Sequence, residues 1–212
     1  MNIEMSKDGQ PILTLDGVHS CSFESPVEEA KRWIERHRET LLNTTNVFVL
    51  GLGSGYHVRE LAQFANLRQI WVIDDKKEAI NFYFKYHKFD HRFKFYNFQD
   101  KKDLKSNPEI RLNFLRPYKV VDFYPAAKHN RNFFNWLKET LVGRTQASLA
   151  ELLALRADFN AKNKKSFKLI KTEKSEPSQL LSIKDIKPLL ENEYELSQHQ
   201  QACINILQEL IR

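Results

Sequence analysis

Apolar residues change their rhythm several times along this chain, and each change marks an element. Val27, Ala30, Ile34 and Leu41 recur at helical spacing and predict a helix over 26–42. Its start carries a capping-box pattern, with Ser25 as cap, Pro26 at the first helical position and Glu28 three residues on. Asn43-Thr44-Thr45-Asn46 ends it, and Val47 to Leu50 then runs without a polar residue into Gly51-Leu52-Gly53-Ser54-Gly55. A helix with Val58, Leu61 and Ala65 on one side is expected next. Arg68 to Asp74 (RQIWVID) reads as a strand covered on both faces, because its apolar run is nearly continuous. Lys76 to His87 predicts a helix, Arg92 to Phe98 a third strand and Tyr118 to Phe123 a fourth. Strands alternating with helices imply right-handed crossovers and a parallel sheet, hence an α/β fold.

After Ala126 the spacing is helical throughout, with helices expected over 130–144, 146–160 and 197–212. Upstream, PILTLDGVHS is only weakly strand-like. The expected organisation is an N-terminal extension with its helix (1–45), a Rossmann-like domain (46–160), a basic linker (161–180) and a C-terminal helical segment (181–212). The linker assignment rests on AKNKKSFKLIKTEK, where six lysines face one glutamate.

Composition narrows the class without choosing a function. The 212 residues are 42% hydrophobic and 28% charged, as in an ordinary globular protein. No apolar run approaches the ~18 residues of a membrane span. The N-terminal residues lack the basic and apolar regions of a secretory signal, and Cys21 and Cys203 show no paired spacing. A cytoplasmic setting without a structural metal or disulfide is therefore expected. The net charge of +6 suits an anionic ligand or partner, but does not single out nucleic acid.

The candidate chemistry lies in the glycine turn. Three glycines in G-x-G-x-G let backbone approach a ligand closely and turn sharply into a helix, whose N-terminus favours anionic groups. Tyr56 stands where the dinucleotide fingerprint has its third glycine, which disfavours NAD and FAD. An acid at the end of the next strand would bind ribose hydroxyls, and Asp74, or adjacent Asp75, holds that place. The turn resembles that of S-adenosylmethionine-dependent methyltransferases, and VFVLGLGSGYHVREL with IWVIDDKKEAI is also similar to spermidine synthases. That resemblance implies S-adenosylmethionine or a related nucleoside ligand, with Asp100 near the base. Asp122 and Tyr124 are the candidates for chemistry if the chain is an active methyltransferase or aminopropyltransferase.

A broader likeness takes in the upstream residues. GVHSCSFESPVEEAKRWIERH, then the glycine turn, then IWVIDD, resembles the N-terminal region of the motility accessory factor (Maf) family of flagellin-glycosylation proteins. His19, Ser20, Pro26, Glu29, Ala30, Gly51, Gly53, Gly55, Tyr56 and His57 carry it. It implies a methyltransferase-like Rossmann domain and an accessory role in surface or flagellin glycosylation. The family's transferase chemistry belongs to a further domain with a motif that this chain lacks.

The expected ligand-facing set is thus Gly51, Gly53, Ser54, Gly55, Tyr56, His57, Asp74, Asp75 and Asp100. A rival reading keeps the fold as a protein-interaction scaffold, its pocket filled by side chains such as Tyr56 or Trp71. His19, His57 and His129 are too scattered to suggest a metal site. FYFKYHKFDHRFKFYNF (82–98) interleaves aromatics with cations, as a single-stranded nucleic-acid platform would. Burial of Phe93, Phe95 and Phe98 explains much of it more simply, and the surplus aromatics are left to cover a sheet edge or meet a partner. The amphipathic 197–212 segment is free to dock on its own domain, swap between protomers or bind another protein, and the sequence alone does not choose.

Overall fold

A computed structural model describes residues 2–143 and 145–155. The described residues fall into two compact units, 2–107 with 116–138, and 108–115 with 139–143 and 145–155. The linker expected at 161–180, the helix expected over 197–212 and the last residues of the one expected over 146–160 lie outside the described residues.

The first unit opens with an antiparallel sheet, β1 (Asn2–Met5), β2 (Pro11–Leu15) and β3 (Val18–His19). Only part of it is visible in the sequence pattern, since Asn2–Met5 is too polar to alternate clearly. Helix α1 (Pro26–Leu42) follows and buries Ala30, Trp33, Ile34 and Leu41. The capping box does not form at its start. Ser25 Oγ instead donates to Asp8 Oδ2 at 2.8 Å, and Glu28 pairs with Lys31 at 2.7 Å. A partner brought in by tertiary structure outcompetes the local one.

Strands β4 (Asn46–Leu50), β5 (Gln69–Asp74), β6 (Phe93–Asn97) and β7 (Lys119–Asp122) make a parallel sheet in the order β6-β5-β4-β7. The fold is therefore a small Rossmann-like α/β fold, as the alternation of elements predicts. Between the strands lie α2 (Tyr56–Glu60), α3 (Lys77–Tyr86) and α4 (Lys101–Ser106). In the central strands, Val47, Val49, Ile70 and Val72 enter one cluster with α1, the hairpin and α3. Alternate residues use the opposite face, where Phe48 and Trp71 pack with ring centroids 4.5 Å apart. Both faces are apolar because both are covered.

The helix after the glycine turn is shorter than its spacing suggests. Leu61–Gln63 tightens into a 3-10 turn, Phe64 becomes extended and Ala65 is exposed rather than on a buried face. Asn66 fixes this exit, its Nδ2 donating to the carbonyls of Leu41 (2.8 Å) and Thr44 (2.7 Å).

After β7, α6 (Tyr124–Ala127) and a 3-10 turn lead into α7 (Arg131–Val142). In the second unit, the described residues include α5 (Pro108–Asn113) and α8 (Gln146–Leu155). There Arg111 Nε donates to the carbonyl of Leu155 at 2.8 Å.

Candidate site at the glycine turn

The turn leaves β4 with Gly51 N–H donating to the carbonyl of Ile73 at 2.9 Å. Its next amides need acceptors away from water, and Asp74 supplies them. One carboxylate oxygen accepts from Leu52 N–H (2.6 Å) and Gly53 N–H (3.2 Å), while the other accepts from Lys76 N–H (2.8 Å). Asp74 is 3% exposed. Burial pushes its carboxyl up to about 6, against the backbone N–H groups that favour the carboxylate. The acid expected to meet a ribose spends its hydrogen-bonding capacity on the protein's own turn.

Ser54 is used just as completely. Its Oγ accepts from Leu13 N–H (2.9 Å) and from the thiol of Cys21 (3.2 Å), and lies 3.0 Å from Ser20 Oγ. Because Ser20 donates to the Leu13 carbonyl at 2.8 Å, the Ser54 hydroxyl is the donor of the serine–serine pair. Desolvation raises the Cys21 thiol to about 12, keeping it protonated as a donor. The Ser54 carbonyl accepts from His87 Nε2 at 2.7 Å. Tyr56 turns towards the hairpin, its hydroxyl donating to the Pro11 carbonyl at 2.7 Å.

His57 is fully buried, stacked on Phe123 with centroids 3.8 Å apart and edge-on to Trp33 at 5.0 Å. Its Nε2 donates to the Gly51 carbonyl at 3.0 Å. Desolvation lowers its pKa to about 3, so the ring is neutral.

The glycines themselves face protein. A Cβ on Gly53 would stand 2.6 Å from the carbonyl oxygen of Ser20 and 3.1 Å from Ala126 Cβ. One on Gly55 would stand 2.5 Å from the ring of Tyr83. Both residues also have positive φ, +50° and +75°. Every residue from Gly51 to Val58 is buried.

The remaining candidates are dispersed. Asp100 is exposed and caps α4, accepting from Lys102 N–H (2.7 Å) and Asp103 N–H (3.0 Å). Asp122 pairs with Lys138 at 2.6 Å, and Tyr124 is 61% exposed. Asp75 alone stands at the carboxyl end of β5 with little taken up. Its side chain is 6% exposed and 3.9 Å from Lys76 Nζ. His129 carries a buried Nε2 without a hydrogen-bond partner. Among the described residues no group of three or more metal-ligating side chains comes together.

Sequence reasoning missed the groups that close the turn: Cys21, Tyr83, His87 and Ala126. Cys21 and Ala126 lie far from the turn in sequence and carry no motif, so no local signal pairs them with it.

No protein-family model matches the chain, and no curated protein matches it.

Proposed function

We propose that this chain is a non-catalytic Rossmann-like scaffold whose glycine turn seats its own N-terminal hairpin. The supporting observation is the complete burial of Gly51 to Val58, with Ser20, Ala126 and Tyr83 against the glycines. The filling groups differ from those the sequence suggests: Tyr56 reaches the hairpin and Trp71 packs on Phe48. The accessory role implied by the Maf-like stretches asks for a partner rather than a pocket. Calorimetry and thermal shift with S-adenosylmethionine, S-adenosylhomocysteine, decarboxylated S-adenosylmethionine and CMP- and UDP-sugars test the proposal. Silence is expected. A ligand at a hundred times its dissociation constant adds about 2.7 kcal/mol of stability, and such a response would overturn the scaffold reading.

Asp75 favours a second reading, in which an S-adenosylmethionine-like or nucleoside ligand sits beyond the turn instead of inside it. A nearly buried carboxylate with one distant cation is unusual without a further donor. On this reading Asp75→Asn weakens the ligand by about 1.5–3 kcal/mol, and unchanged affinity removes Asp75 from the site.

A further inference from the structure

Among the described residues, the α3–β6 corner keeps large rings in water on a rigid frame. Phe84 is 52% exposed, Phe89 56% and Tyr86 37%. Phe84 and Phe89 have centroids 5.9 Å apart, and Phe84 meets the partly buried Phe95 edge-on at 5.2 Å. Core packing does not account for these rings, since Phe82, Tyr83 and Phe93 already fill the interior beside them.

The turn carrying Phe89 is held tightly. Arg92 grips the Asp90 carboxylate, with Nε 3.1 Å from both oxygens and Nη2 2.6 Å from one. The same guanidinium donates to the carbonyls of Ala62 (2.8 Å), Phe64 (2.8 Å) and Leu67 (3.1 Å). At the other end, His87 donates to Ser54 from its ring and to Tyr83 from its backbone, the latter at 2.8 Å. Exposed rings on a preorganised turn lose little conformational freedom when covered.

Charge indicates what covers them. Asp90 is the only carboxylate between Phe82 and Phe98, and Arg92 neutralises it. Lys85, Lys88 and Lys94 are exposed, and none makes an ion pair among the described residues. Among the described residues the strand beside the rings, β6, is also the last of its sheet on that side. It therefore has a main-chain edge that an extended segment can join. Arg92, the cation best suited to phosphate or to base stacking, is wholly engaged within the protein, which argues against nucleic acid.

We infer that the α3–β6 corner docks an extended, acidic segment of a partner protein carrying two apolar anchors, which cover Phe84 and Phe89. This names the partner chemistry of the scaffold reading and rests on it. The test is selection of a displayed random library of roughly twelve-residue peptides on the full chain, followed by fluorescence anisotropy of the enriched peptides. Enrichment of acidic peptides with apolar anchors is expected, with binding weakened by added salt. The Phe84→Ser/Phe89→Ser variant should bind them at least about tenfold more weakly, as should Lys85→Glu/Lys88→Glu. Circular dichroism and melting of both variants check that the fold persists.

No enrichment, a neutral or basic consensus, or equal binding to the ring variant would overturn the inference. So would displacement of the peptides by a short single-stranded oligothymidine, or association of the chain with itself through these rings. Failure here leaves the buried glycine turn as it stands. A response to the nucleoside panel, by contrast, sinks the scaffold reading whatever the peptides do.

Discussion

Two turns in this molecule solve the same problem with opposite materials. The turn at 51–55 is poor in side chains and deeply buried, and its amides converge on one carboxylate, Asp74. The turn at 87–92 is rich in side chains, and one guanidinium, Arg92, grips its Asp90 carboxylate and ties the turn to the neighbouring 62–67 segment through three of that segment's carbonyls. The carboxylate serves buried N–H groups of its own turn, whereas the guanidinium serves C=O groups of the segment next to its turn. What the turns do with side chains then diverges. The first turns them inward until nothing is open, whereas the second holds its rings out. The glycine-rich turn is thus the closed one here and the aromatic turn the open one.

Breaking the closed turn should have the largest effect. Gly53→Ala forces a methyl against the Ser20 carbonyl oxygen at 2.6 Å, and should cost about 3 kcal/mol or more in urea denaturation. A neutral result would mean the hairpin yields easily and that the turn can open to a ligand.

Acid probes the same turn next. His57 is lowered from 6.5 to about 3, so its contribution is intact above pH 6.5 and shrinks as pH falls. By pH 5 the loss is about 2 kcal/mol, because the unfolded chain binds a proton that the folded one refuses. His57→Phe should flatten that slope while lowering stability at pH 7.5; an unchanged slope would clear His57. Asp74 acts in the opposite sense. Its folded carboxyl lies near 6, above the usual 3.8, so its contribution grows as pH falls between those values. Asp74→Asn should therefore steepen the acid loss, as read from urea midpoints across pH 4–7.

Ser54→Ala is a milder cut. It leaves the buried Leu13 N–H without an acceptor and should cost roughly 1–2 kcal/mol, measured by equilibrium unfolding. The open turn supplies the smallest effect. Phe89→Ser should change stability by no more than about 0.5 kcal/mol, since the ring is 56% exposed. A larger loss would show Phe89 to be structural and erase the contrast between the turns.

The sequence is legible where periodicity is local. The parallel strands and α1 follow from apolar runs and helical spacing, and α3 from the segment between two strands. The polar strand Asn2–Met5 and the broken helix after Glu60 are not legible, because pairing with Pro11–Leu15 and the reach of Asn66 set them. At the candidate site, residue types are right for a ligand turn, but their partners are chosen by tertiary approach. Nothing within residues 51–57 announces that Leu13, Ser20 and Cys21 will occupy Ser54.

The same closure orders events during synthesis. Leu13 must wait for Ser54, 41 residues later in the chain, and the indole of Trp33 for Asp122, 89 residues later. At roughly 5–20 residues per second, the hairpin spends several seconds with Ile12, Leu13 and Leu15 lacking the cluster they will join. The hairpin is thus made well before the turn that secures it, and its apolar residues stay uncovered until Ser54 has been added.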